Sequence, residues 1–166
     1  MFFWFLGTAT VAVWFVFRDD RFDHRVLALG AILPDLVDAP TGGIWVAHSV
    51  TASVALLGIV MAVTVGRREM RRRWLALPIG TFLHLVFDGA FSNTTAFWWP
   101  FAGLATGGAE LPSISRGWWN IVLEVMGLAM IYVMAKRHGL DGAARRREFF
   151  ATGRLVDPAA GGVGQC

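Results

Sequence analysis

Four long apolar segments constrain this chain more than any other feature of its sequence. They cover residues 1–17, 44–65, 74–91 and 118–135. A bilayer core is crossed by about 20 residues of helix. Hydrophobic residues make up 55% of the 166 residues and charged residues only 16%, and a soluble domain of this size cannot bury so many large apolar side chains. The sequence therefore predicts an all-α fold, a polytopic membrane bundle of about four transmembrane helices.

A shorter apolar stretch, residues 26–34, lies between the first two segments. It is too short to cross a bilayer and too apolar for a solvated loop, so we expect a re-entrant or interfacial helix that ends at Pro34. A cleaved signal peptide is the alternative for residues 1–17, but the basic residues that open such peptides are missing, and we favour an uncleaved span. Residues 1–138 then form a membrane-embedded domain, and residues 139–166 are expected to be a disordered basic tail.

Basic residues are concentrated beside the apolar segments. Five arginines lie in residues 67–73, and six basic residues follow from Lys136 onward. Because cytoplasmic loops carry an excess of Lys and Arg, we expect both regions, and with four spans the N-terminus as well, on the cytoplasmic side of a prokaryotic inner membrane. Loops 18–43 and 92–117 then face outside. The basic residues flank spans and do not line a groove, so we expect membrane lipids as partners and no nucleic acid.

Four ionisable side chains interrupt the apolar segments: His48, His84, Asp88 and Glu124. A charged group within a span costs roughly 2.5–3.5 kcal/mol on insertion scales, so each one requires a reason. With the orientation above, a rise of 1.5 Å per residue places all four within about 10 Å of the outer ends of their spans. We therefore expect these groups to share one layer near the outer face.

Two carboxylates extend this set, since Asp35 and Asp38 precede the second span on its outer side. Individually these residues have ordinary explanations: a helix–helix hydrogen bond for His84 and Asp88, helix association for His48, and turn chemistry for the two aspartates. Together they form a group of carboxylates and imidazoles with no basic side chain, which repels itself unless a cation binds. The sequence therefore predicts a divalent metal held by side chains of this group, because imidazole nitrogens and carboxylate oxygens are both competent zinc ligands. Whether Asp23 or His24 joins them is left open.

Four motifs occur in a recognisable order. They are LGAILPDLVD at residues 29–38, His48-Ser49, FLHLVFD at residues 82–88, and WWPF at residues 98–101. Over about half of the chain this order resembles the membrane-bound metal-dependent hydrolase family, which includes the LexA-regulated inner-membrane hydrolases. That family is distantly similar to zinc-dependent phospholipase C and P1-type nucleases. The resemblance implies phosphoester hydrolysis at a cluster of His, Asp and Glu ligands around zinc. By position it marks these residues as the ligands: Asp35, Asp38, His48, His84 and Asp88. The number of metal ions stays open.

Two functions of different classes follow. In a hydrolase, Glu124 is the candidate general base and Arg25 the candidate clamp for a phosphate, because a guanidinium matches phosphate with two parallel hydrogen bonds. The depth of the site then favours a lipid headgroup or a lipid-linked phosphoester in the outer leaflet. The alternative is a non-enzymatic integral membrane protein in which the same residues hold a structural metal or an ion.

Overall fold

The computed structural model describes residues 1–19, 21–41, 43, 45–104 and 116–156, and within these ranges the chain is all-helical, without β-strands. Short 3₁₀ turns at Ala39–Thr41, Val46–His48 and Ala90–Ser92 connect some of the helices. The α-helices in chain order are α1 Phe2–Phe17, α2 His24–Asp38, α3 Val50–Val63, α4 Arg68–Trp74, α5 Ala76–Asp88, α6 Thr94–Phe97, α7 Trp119–Arg137 and α8 Ala143–Thr152.

Helices α2 and α5 form the most intimate pair in the bundle, and they run parallel. Their backbones meet because Gly30 and Gly80 have no side chain: a Cβ on Gly30 would lie 2.2 Å from the Leu77 carbonyl oxygen. Asp23, just before α2, binds Arg73, just before α5. Near the other end, His84 of α5 hydrogen-bonds the carbonyl of Ala31 in α2. The two helices thus begin at one end of the bundle and finish at the other.

Helices α1 and α7 form a second parallel pair. Gly7 and Gly127 bring their backbones into contact, since a Cβ on Gly7 would lie 2.6 Å from the Gly127 oxygen. At the start of both helices, the Glu124 carboxylate accepts the backbone N–H of Phe3 at 2.6 Å. Towards their other ends, the Arg137 guanidinium lies 4.3 Å from the centroid of the Trp14 ring.

These pairs give the bundle two chemically different ends. The acidic end contains the starts of α1, α3 and α7 and the ends of α2 and α5. The basic end contains the opposite ends of those helices together with α4 and α8. All but one of the 15 Lys and Arg residues lie at the basic end, and the exception is Arg116.

Helix α2 corrects the expectation of a re-entrant or interfacial segment that ends at Pro34. The helix continues through Pro34 to Asp38 and lies inside the bundle, with Leu27 and Ala31 fully buried against its neighbours. Because α2 runs from one end of the bundle to the other, the chain traverses it five times and not four. The start of α1 and Gly153 therefore lie at opposite ends of the bundle, whereas the sequence predicts one side of the membrane for both termini.

The segment after residue 138 also differs from the expected disordered tail. Residues 143–152 form α8, and the chain beyond it packs against the start of α2, where the Gly153 carbonyl accepts the His24 backbone N–H at 2.8 Å. Gly153 adopts a left-handed conformation, with φ of 74°, and any Cβ there would collide with the Asp23 carboxylate. The rest of the expected tail, residues 157–166, lies outside the described residues.

Polar side chains share the interior of the bundle with an apolar core, and many large apolar side chains are exposed. Large apolar residues such as Phe15, Ile59, Ile121 and Val133 are more than half exposed, whereas histidines, carboxylates and hydroxyls occupy much of the interior. Helix α7, with 19 residues, is long and apolar enough to cross a membrane, and α1 and α3 are shorter apolar helices.

Candidate metal centre

Three side chains from three different segments converge at the acidic end, and we call them the triad: Asp35, His48 and His84. The two Nε2 atoms lie 3.3 Å apart. Asp35 Oδ1 lies 3.4 Å from the Nε2 of His48 and 3.6 Å from the Nε2 of His84. Both imidazoles are almost fully buried, and the Asp35 side chain is 24% exposed. The triad is thus a compact, nearly equilateral group in which Asp35 is the partly exposed member.

Local structure explains why these three residues meet. Asp35 lies in the last turn of α2, and His84 lies on the parallel helix α5 at the same height. Ser49 caps α3 by accepting the backbone N–H of Ala52, so His48 is held in the short turn before that helix and not within it. The ring of Phe5 packs on His84 with centroids 3.9 Å apart.

Both imidazoles are oriented through their other nitrogen. His84 Nδ1 lies 2.7 Å from the Ala31 carbonyl oxygen, which can only accept a hydrogen bond, so Nδ1 carries the proton. His48 Nδ1 lies 2.6 Å from Asp38 Oδ2 and donates to that carboxylate. In their neutral forms the two rings therefore direct Nε2 lone pairs at each other and at Asp35. Ring orientation by a carboxylate or a carbonyl is the usual arrangement behind metal-binding histidines.

The spacing of the triad fits a divalent cation. Zinc bonds of about 2.0–2.1 Å in a tetrahedron imply ligand atoms roughly 3.3–3.4 Å apart, and the triad distances of 3.3–3.6 Å agree. Asp35 Oδ1 is buried without a hydrogen bond, which is costly for a carboxylate unless a positive charge compensates. Among the described residues these three form the group that could hold a metal ion. A proton on His48 Nε2 is the competing occupant.

Asp38 belongs to the site but not to the triad. Its carboxylate is fully buried and accepts hydrogen bonds from the backbone N–H of Trp45 at 2.9 Å and Ala47 at 3.3 Å, in addition to His48. It was expected to be a ligand; the structure gives it the role of orienting His48. The same contacts hold residues 45–48 against the end of α2.

Asp88 lies one helical turn after His84 on α5, near the triad but paired with another residue. Arg116 donates from one guanidinium nitrogen to Asp88 Oδ1 at 3.3 Å and from the other to the Asp88 backbone carbonyl. The second carboxylate oxygen, Oδ2, is buried without a hydrogen bond. Arg116 was not singled out from the sequence, although it is the one basic residue outside the clusters at the basic end.

The two residues expected to be catalytic lie elsewhere. Glu124 accepts the backbone N–H groups of Phe2 and Phe3 at 2.5 and 2.6 Å, so it caps the start of α1. Arg25 lies at the basic end, where it binds the Asp23 carboxylate and the Phe150 carbonyl. Ten helical residues, about 15 Å, separate Arg25 from Asp35. Asp23 and His24, left open from the sequence, lie at the basic end as well.

Two adjoining cavities lie between the helices on the basic-end side of the triad, and no triad residue lines either of them. One, of about 150 Å³, is lined by Pro34 and Ala47, the direct neighbours of Asp35 and His48. The other, of about 330 Å³, is almost entirely apolar and lies between α1, α3 and α5. Ser53 lines both, and its buried hydroxyl oxygen lacks a hydrogen bond.

Comparisons of the chain with protein-family models, curated proteins and solved structures find no match.

Proposed function

We propose that the protein is a membrane-embedded metal-dependent hydrolase of phosphoesters, with its acidic end towards the outside and its basic end in the cytoplasm. The exposure of many large apolar side chains supports a location in the membrane, because large exposed apolar surface is costly in water and natural in lipid. The segregation of the basic residues to one end supports the orientation under the positive-inside rule. In this orientation α1, α2, α3, α5 and α7 all cross the membrane.

Four of these five helices have 13–16 residues, fewer than the about 20 needed for a straight crossing. A bilayer accommodates short spans by thinning locally, at a cost of fractions of a kcal/mol per Å. Thinning around the bundle would bring the triad, which lies near the ends of α2 and α5, close to the outer headgroups.

The observation that carries the proposal is the convergence of the triad, with both Nε2 lone pairs and one carboxylate oxygen directed at a common point. Three protein ligands, as in the triad, are typical of catalytic zinc sites, whereas structural sites are closed by four. A zinc-class ion held there would lower the pKa of bound water towards about 7 and polarise a phosphoryl oxygen.

The residues around the triad supply the remaining functions of a hydrolase. Asp38 and the Ala31 carbonyl orient the two histidines. Asp88 is a second carboxylate outside the triad, and because its Oδ2 has no hydrogen bond it is the candidate acceptor for a proton from the attacking water. Arg116 is the guanidinium at this end of the bundle within the described ranges, and it takes the phosphate-binding role first considered for Arg25.

The two cavities favour a lipid as the substrate. A phosphoester bound at the triad would have the smaller cavity beside it and the 330 Å³ apolar cavity towards the middle of the membrane. This matches the geometry of an outer-leaflet lipid, whose headgroup lies outward and whose chains extend inward. A soluble phosphoester has no use for an apolar cavity open to the acyl region.

The experiment is turnover of phospholipids by the protein in nanodiscs, with release of the phosphorylated headgroup as the readout. Parent protein loaded with zinc should release it, and Asp35→Asn should not, because the substitution removes the ligand charge while conserving shape. As a matched control, Asp141→Asn changes an exposed carboxylate at the basic end and should retain the parent rate.

The same preparation separates an enzyme from a structural metal site. If metal removal lowers the thermal unfolding midpoint by many degrees and no phosphoester is hydrolysed by the loaded parent, the triad is a structural site and the proposed hydrolysis is wrong. If turnover depends on the metal while the folded state survives its removal, the enzyme stands.

A further inference from the structure

A second polar cavity lies at the basic end, remote from the triad. It has a volume of about 210 Å³ and is lined by charged side chains from three segments: Arg21, Asp23 and Arg25 around the start of α2, Arg73 at the end of α4, and Arg154 after α8. Four guanidinium groups thus surround one carboxylate. Clustering of this kind repels itself unless anions are bound.

The single carboxylate is fully used in organising the cavity wall. Asp23 Oδ1 accepts the backbone N–H and Nε of Arg25, at 3.0 and 3.2 Å. Asp23 Oδ2 accepts from Arg25 Nη2 at 3.0 Å and forms an ion pair with Arg73, whose Nε lies 2.9 Å away. The Asp23 side chain is 4% exposed. It therefore neutralises part of the positive charge of the arginines from inside the protein and is not accessible to a ligand in the cavity.

The other guanidinium groups are available to a ligand. Arg73, which meets Asp23 through Nε, has a side chain that is 56% exposed. Arg21 and Arg154 are exposed, and neither has a carboxylate within salt-bridge distance in the part of the chain that the structure describes. The lining of the cavity therefore carries several guanidinium hydrogen-bond donors and an excess of positive charge.

We propose that this cavity binds a phosphate group. Guanidinium groups match phosphate oxygens through paired, charge-assisted hydrogen bonds. At this end of the bundle such a group could come from an acidic phospholipid of the adjacent leaflet or from a soluble phosphorylated compound. Binding would join the loop before α2 to α4 and to the chain after α8. The proposal is independent of the metal and of hydrolysis.

The test uses the purified full chain in a zwitterionic detergent with two probes. Inorganic phosphate is titrated against the thermal unfolding midpoint, and phosphatidylglycerol retained after exchange against phosphatidylcholine is counted by native mass spectrometry. The variants are Arg21→Gln and Arg154→Gln, which remove cavity donors without touching Asp23. The matched control is Arg72→Gln, an exposed arginine of α4 that does not line the cavity.

We expect each cavity variant to weaken phosphate or phosphatidylglycerol binding roughly fivefold to tenfold, and Arg72→Gln to change it less than about twofold. Retention of phosphatidylglycerol identifies the lipid as the source, and a response to phosphate alone identifies a soluble ligand; both support the site. Equal weakening in Arg72→Gln would show diffuse surface charge and overturn it. Failure of the parent protein to bind either probe would also overturn it.

Discussion

Buried carboxylates lie at both ends of this bundle, but their charge is compensated differently. At the basic end, Asp23 receives hydrogen bonds from the Arg25 guanidinium and from backbone amides and forms an ion pair with Arg73, so the protein supplies its partners. At the acidic end, Asp35 and Asp38 face histidines, and the one guanidinium nearby, that of Arg116, is occupied by Asp88.

The two ends differ in how completely the protein's own groups compensate each carboxylate. Burial alone would raise the pKa of Asp23, but the hydrogen bonds from Arg25 and the backbone outweigh it and hold the pKa below the usual range. Asp35 Oδ1 has no hydrogen bond at all. A closed ion-pair network therefore explains the basic end as structure, whereas the carboxylate and two imidazoles of the triad at the acidic end form a group that could hold a metal ion.

Each end of the bundle buries histidines, and the largest expected difference between the ends is the effect of replacing one of them. Replacing His84 by alanine removes a triad ligand, so metal binding should be lost and phosphoester hydrolysis should fall below about 1% of the parent rate. His138→Ala is the matched control, because His138 is equally buried but lies at the basic end. Retained metal in His84→Ala, measured by elemental analysis, would contradict the assignment of His84 as a ligand.

A substitution of Asp38 tests whether metal binding at the acidic end also depends on a residue outside the triad, through its contact with His48. Asp38→Asn weakens the orientation of His48, and loss of such a partner typically costs 10–100-fold in metal affinity. Competition with a fluorescent zinc chelator measures this change. Asp23→Asn should leave metal affinity unaltered; if both variants lose affinity equally, the effect comes from general destabilisation.

Asp23 tests the closed network at the basic end. Asp23→Asn should destabilise the fold by about 1–2 kcal/mol, because Arg25 and Arg73 lose their common acceptor, and the partial exposure of both limits the effect. Hydrogen exchange should show α8 becoming less protected while α5 stays unchanged. Asp141→Asn, which breaks an exposed ion pair with Lys136, should cost less than about 0.5 kcal/mol.

The same network predicts an acid limit. A carboxyl whose pKa is lowered by folding stabilises the native state above its unfolded pKa of about 3.9, and this contribution is lost as pH falls through the folded value. Protection of α8 against exchange should therefore be constant above about pH 5 and decline below pH 4. In Asp23→Asn the decline due to this residue should be absent; an identical acid profile would remove Asp23 from the network.

The smallest expected effect is that of Glu124, the base suggested by sequence. Because its carboxylate caps the start of α1, Glu124→Gln should cost about 1 kcal/mol of stability and leave hydrolysis within about twofold of the parent rate. Steady-state rates and thermal unfolding of the same sample measure both. Loss of hydrolysis in a fully folded Glu124→Gln protein would restore the catalytic hypothesis.

Much of the fold and part of the site follow from the sequence. The all-helical fold follows from the apolar segments. Three of the five expected ligands converge as the triad because the ends of α2 and α5 and the start of α3 lie at the same end of the bundle. The sequence does not predict that α2 runs from one end of the bundle to the other, because Pro34 normally stops a helix and 15 residues are few for a span. Close glycine contacts with α5, which no local pattern reveals, hold that helix inside the bundle.

Roles that depend on tertiary partners were not accessible from sequence. Glu124 and Asp88 are both isolated carboxylates in apolar segments, and only the packing shows that one caps α1 while the other pairs with Arg116. Arg25 resembles a phosphate clamp until α2 is seen to cross the bundle. The signal that could have identified Arg116 is its isolation from every basic cluster.

The central claim is that Asp35, His48 and His84 share one divalent cation. The direct measurement is anomalous scattering at the zinc absorption edge from crystals of the parent protein grown with zinc at neutral pH. We predict one anomalous peak about 2.0–2.2 Å from both Nε2 atoms and from Asp35 Oδ1. Absence of a peak between the three residues, with the imidazoles still 3.3 Å apart, would show that a proton and not a metal occupies the triad.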